Sequence, residues 1–127
     1  MKNILVVDDN TISRFMIRKA LEKKQRYFKL YIATSGKEAQ QAVVDFYRKF
    51  KKLPDLIMIS VDSSVASVYE FIQLINKQNL PEQWYMNIMV MSPPVNAHYP
   101  LREDELPTLR FFPKPINSET LRKILSL

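Results

Sequence analysis

The 127-residue chain is long enough for one domain with a proper core, and its 46% hydrophobic content is that of a globular protein, not a disordered one. It has no cysteine, which excludes disulfides, thiolate nucleophiles and cysteine-built zinc sites, and its one histidine, His98, excludes any site that needs two imidazoles. The formal net charge of +6 is concentrated on residues 14–29 and 48–52, where basic and apolar positions alternate as on the solvated faces of helices; a nucleic-acid or acidic-partner surface is the competing reading.

The first element expected is a strand at residues 3–8, NILVVD, a β-branched apolar run suited to burial on both faces. A helix follows over 11–24, with Ile12, Phe15, Met16 and Ala20 on one face. FKLYIA, 28–33, reads as the second strand. Ser35 with Glu38 three residues on is a capping-box signature, and Ala39, Ala42, Val43, Phe46 and Phe50 form the core stripe of the helix it opens. DLIMIS, 55–60, is the third strand, and Val65, Val68, Phe71, Ile72 and Ile75 mark the third helix.

NIMVM, 87–91, and TLRFF, 108–112, read as strands four and five. Between them Pro93, Pro94, Pro100 and Pro107 forbid one regular helix, so the fourth helix should be short or broken. Asn117 can cap a last helix carrying Leu121, Ile124 and Leu125. Strands alternating with helices imply an α/β fold, a doubly wound five-stranded parallel sheet with helices on both faces. Residues 1–127 are expected to form a single domain, with no room for an output domain. No apolar run approaches the ~18–20 residues that span a bilayer, and two aspartates near the N-terminus do not suit a signal peptide. A cytoplasmic protein is expected.

In such a sheet the functional crevice lies at the carboxyl ends of the strands. Strand one ends in Asp8 and Asp9, and strand three in Ser60 with Asp62 just beyond. Strand four ends in Ser92, and strand five in Phe112-Pro113-Lys114-Pro115. Adjacent carboxylates at a strand end suit a hard cation such as Mg²⁺, and Lys114 could also compensate their charge. Taken alone, Asp8 and Asp9 would also suit a helix N-terminus, where the dipole favours acids. The only glycine, Gly36, opens a helix, so no phosphate-binding glycine loop follows strand one. With no base-activated nucleophile and no cofactor motif, an enzyme is not expected.

These residues resemble the receiver domain of two-component response regulators along essentially the whole chain. ILVVDDN looks like the family's first strand and acidic pair, SGKEA like its second helix start, and PDLIMISVDSSVASVYEF like its third-strand segment. Ser92 falls at the switch Ser/Thr position, Phe111 at the switch aromatic, and Lys114-Pro115 at the Lys-Pro pair whose bond is usually cis. The resemblance implies a flavodoxin-like sheet of order 2-1-3-4-5 and a role in phosphorelay signalling. Partners would be histidine kinases, phosphotransfer proteins or other signalling proteins, with the chain a monomer or weak homodimer.

At the position of the phosphoacceptor aspartate this chain has Ser60. A serine is a poor nucleophile without an adjacent base, and it removes one anionic metal ligand. The resemblance therefore implies a pseudo-receiver with a weakened Mg²⁺ site at Asp8 and Asp9, in which Ser60 hydrogen-bonds Lys114 or a carboxylate. A phosphorylatable receiver using Asp62 and a basic nucleic-acid-binding module are the alternatives. Further departures are Ser63-Ser64 where the family often has Met-Pro, Ser67-Val68 where it often has Asp-Gly, and Pro93-Pro94 after the switch hydroxyl.

Overall fold

Four consecutive apolar residues make the first strand a two-sided core element. β1 (Lys2–Val7) buries Ile4, Leu5, Val6 and Val7. Side chains alternate across a strand, so Leu5 and Val7 enter one cluster and Ile4 and Val6 the other. The computed structural model describes residues 2–8, 10–22, 28–60, 66–80, 87–92 and 109–113. They form β1, α1 (Thr11–Glu22), β2 (Phe28–Ala33), α2 (Gly36–Phe50), β3 (Leu56–Ser60), α3 (Ala66–Gln78), β4 (Ile88–Ser92) and β5 (Leu109–Pro113). The broken fourth helix and the helix capped by Asn117 fall outside the described residues.

All four strand pairs are parallel, in the order β2-β1-β3-β4-β5. This is the doubly wound order expected, and it puts the topological switch between β1 and β3. Every residue of β3 is buried, as a central strand covered on both faces requires. On one face Leu5, Val7, Ile57, Ile59, Ile88 and Val90 pack with Val43 of α2 and Phe71, Ile72 and Ile75 of α3. On the other, Ile4, Val6, Met58, Met89 and Met91 pack with Ile17 of α1.

α2 starts and stops for reasons visible in its sequence. Ser35 is extended, with φ −152° and ψ 165°, and its Oγ accepts from the Glu38 N–H at 3.1 Å. The capping box is only half formed, because the Glu38 carboxylate accepts from Thr34 Oγ1 at 2.7 Å. At the far end Lys51 takes the left-handed conformation, φ 58° and ψ 28°, and its N–H donates to the Tyr47 carbonyl at 2.8 Å. Asn79, just beyond α3, also has a positive φ, 50°. Asparagine tolerates this region well and lysine does not.

The core of α1 differs from the expected stripe. Phe15 and Met16 are 60% and 56% exposed, and Ile17 is the buried residue. At about 100° per residue Ile17 lies roughly 200° around the helix from Phe15, so a stripe drawn through Phe15 faces outward. In α2, Ala39, Val43 and Phe46 are buried as expected, Val44 joins them, and Phe50 is 40% exposed at the last turn. Among the described residues no helix is long and apolar enough to cross a membrane.

Candidate functional site

The site is built where β1 and β3 end. Val7 and Ile59 are register partners across this parallel pair. Asp8 and Ser60 are the next residues on each strand, and neighbouring strands run about 4.8 Å apart, so the two backbones sit side by side at the switch point. Both residues are buried, Asp8 to 1% and Ser60 to 5% exposure, and among the described residues they are the buried polar pair in an otherwise apolar core.

Local hydrogen bonds set the orientation of Asp8. Its N–H donates to the Ala33 carbonyl at 2.9 Å, which anchors the end of β1 to β2. Its Oδ1 accepts from the Asn10 N–H at 2.8 Å, an Asx turn that swings the chain out of the sheet. The Asn10 carbonyl then accepts from the Arg14 N–H at 3.0 Å and opens α1. Asn10 thus couples the acid to the helix through its backbone, a role unassigned from sequence; an aspartate just before a helix start, able to accept from the N–H two residues on, is the available signal.

Ser60 presents a different chemistry. Its Oγ is buried and has no hydrogen-bond partner among the described residues. Its strand neighbour on the far side is Met91, and Ser92, the last residue of β4, pairs in register with Pro113 of β5. Phe111 lies in β5 opposite Val90. The ends of β1, β3, β4 and β5 therefore follow one another along a single edge, and Asp8, Ser60 and Ser92 stand on it as expected. Asp9, Asp62, Lys114 and Pro115 lie outside the described residues, as does the cis bond expected before Pro115.

Mg²⁺ asks for a near-octahedral set of oxygens, usually with one or two carboxylates. Among the described residues no group of three or more metal-ligating side chains stands together. Asp8 offers one carboxylate and Ser60 a neutral hydroxyl, which by themselves do not make a magnesium site.

No protein-family model matches the chain, and no curated protein matches it in sequence. Solved structures do match. The Vibrio cholerae chemotaxis protein CheY4 superposes with a TM-score of 0.74 at 23% identity, covering 99% of this chain and 97% of its own. A two-component response regulator from Cytophaga hutchinsonii gives 0.75 at 16% identity, over 99% and 95% of the two chains. A CheY-like receiver domain protein from Methanospirillum hungatei gives 0.74 at 18%, over 97% and 90%.

The chain has the CheY-like, flavodoxin-type fold. Likeness spans nearly the full length of both partners. Within this fold, the end of β3 carries a hydroxyl, and the end of β1 carries a buried carboxylate held by its own turn.

Proposed function

We propose that this chain is a signalling receiver module that works by protein–protein contact without aspartyl phosphorylation at the end of β3. The observation that carries the reading is Ser60: a buried hydroxyl beside Asp8, at the switch point of a receiver fold. A carboxylate there would accept a phosphoryl group as an acyl phosphate. A hydroxyl needs an adjacent base to attack, and Asp8 has one oxygen committed to the Asn10 N–H. Asp8 and Asp9 would hold Mg²⁺ weakly, with two anionic ligands in place of three. Ser92 and Phe111 would retain the switch positions, and Lys114 would neutralise the acids. The partner class is a histidine kinase, a phosphotransfer protein or another signalling protein, met in the cytoplasm by a monomer or weak homodimer with no enzymatic activity of its own.

The test is incubation of the purified chain with acetyl phosphate and Mg²⁺, read by intact-mass spectrometry. The wild-type chain should gain no phosphoryl group, and Ser60→Asp should gain one that depends on Mg²⁺. Labelling of the wild-type chain that disappears in Asp62→Asn would replace this reading with a phosphorylatable receiver.

A further inference from the structure

A second site lies on the opposite part of the sheet. A cavity of about 280 Å³ opens between α2, β2 and the start of β3, lined among others by Tyr31, Phe46, Phe50, Lys29 and Lys49. It sits on the face that α2 covers, toward the amino-terminal ends of the strands, with Leu5 and Pro54 in its wall. Its volume is at the lower end of the range for small-molecule sites.

The sequence builds this cavity from two periodicities. Lys29 and Tyr31 are two apart on β2 and share a face. Ala42, Asp45, Phe46, Lys49 and Phe50 recur at helical spacing on α2. Tyr31 meets Phe46 edge-to-face with centroids 5.6 Å apart, and Phe46 meets Phe50 at 4.7 Å. Three rings thus form a continuous aromatic wall.

Each side of the wall carries a cation. Lys29 Nζ stands 5.4 Å from the Tyr31 centroid, and Lys49 Nζ stands 5.3 Å from that of Phe50. Neither lysine is ion-paired with a carboxylate among the described residues. The one acid of the lining, Asp45, accepts from Gln41 Nε2 at 2.9 Å, outside the cavity lining. The Tyr31 hydroxyl is buried and has no hydrogen-bond partner among the described residues. The lining therefore combines flat apolar surface with a surplus of positive charge.

We infer that this cavity binds a small planar organic acid, its ring against Phe46 and Phe50 and its carboxylate between Lys29 and Lys49. Such a ligand satisfies both features at once, since an aromatic body needs the wall and an anion needs the lysines. The site is independent of the Asp8–Ser60 edge, so it stands or falls separately from the signalling reading.

The test uses the full chain and 2-naphthoate as probe, with its neutral counterpart 2-naphthylmethanol, each titrated in ¹H–¹⁵N spectra. Saturable shifts centred on Tyr31, Phe46, Lys49 and Phe50 are expected with the acid. Losing both lysines should weaken the acid roughly fivefold to thirtyfold, the range that two exposed charge contacts supply. The variant is Lys29→Gln with Lys49→Gln, whose exposed side chains leave the core intact. The neutral alcohol should bind wild type no better than the acid binds this variant. No saturable shift, equal affinity for acid and alcohol, or undiminished binding of the acid by the variant would each overturn the assignment.

Discussion

Asp8 and Ser60 stand level with one another, one residue beyond the paired Val7 and Ile59, and both are sealed from solvent. One is a carboxylate held by its own turn; the other is a hydroxyl with no described partner. A buried hydroxyl without a hydrogen bond costs about 1–3 kcal/mol. Ser60→Ala removes that cost and nearly preserves volume. It should therefore stabilise the fold by about 1 kcal/mol, seen as a Tm about 3–5 °C higher. A fall in Tm would mean that the hydroxyl is satisfied by a residue beyond those described.

Ser60→Asp should act in the opposite direction, and reversibly. It places a second buried carboxylate level with Asp8, and like charges held close destabilise the ionised pair. The variant should melt below wild type in chelator and recover when Mg²⁺ is added, because a ligand that binds only the folded state stabilises it by mass action. Wild type should move little over the same titration. Thermal melts with and without Mg²⁺ measure both, and equal Mg²⁺ responses would remove Ser60 from the metal's surroundings.

Lys51 closes α2 with φ 58°, where a side chain is crowded against the backbone. Glycine adopts this geometry without that cost, although its unfolded chain is freer. Lys51→Gly should gain about 0.5–1 kcal/mol, measured by urea denaturation with an unchanged m-value. The same change at Lys49, inside the helix, should lose about 1 kcal/mol.

Phe71 is fully buried on the face where α3 meets the sheet, amid Ile72, Ile75, Ile59 and Val90. Phe71→Ala should cost about 3–5 kcal/mol through lost burial and the cavity left behind. That is a large part of the stability of a domain this size, so the variant should be measurably unfolded at 37 °C by circular dichroism. Phe15→Ala, at 60% exposure, should change stability by less than about 0.5 kcal/mol.

The sheet was legible because its strands are short, apolar and β-branched, and because each is followed by a turn or helix signal. The strand order came from likeness to a family, since no single strand states which neighbour it pairs with. The face of α1 is ambiguous in the sequence because the apolar run FMI offers more than one stripe: Phe15, Met16 and Ile17 are consecutive, and only packing against Met58 and Met89 selects Ile17. At the site, Asp8 and Ser60 are legible because each stands where a buried apolar strand ends. Asn10 was missed because its contribution is a backbone N–H, which any residue could supply. The Tyr31–Phe46–Phe50 wall was missed for a different reason. Its members come from separate elements, and Phe46 and Phe50 look like ordinary core residues until the edge strand β2 leaves one side of them open.

β1 is made before either of its neighbours, and they arrive at different times. β2 is complete by residue 33, but β3, which pairs with the other edge of β1, ends at residue 60. Even the Asn3 N–H finds its acceptor on Asp55, 52 residues along the chain, at 2.7 Å. Ribosomes add roughly 5–20 residues per second, so the inner edge of β1 waits about 3–10 s for its partner. During that interval the strand carrying Ile4, Leu5, Val6 and Val7 is an apolar ribbon with an open edge, the kind of segment that chaperones engage and that nascent chains on a polysome can pair with one another. Yield of soluble protein should therefore track the speed of translation across residues 34–60 as much as the stability of the finished fold.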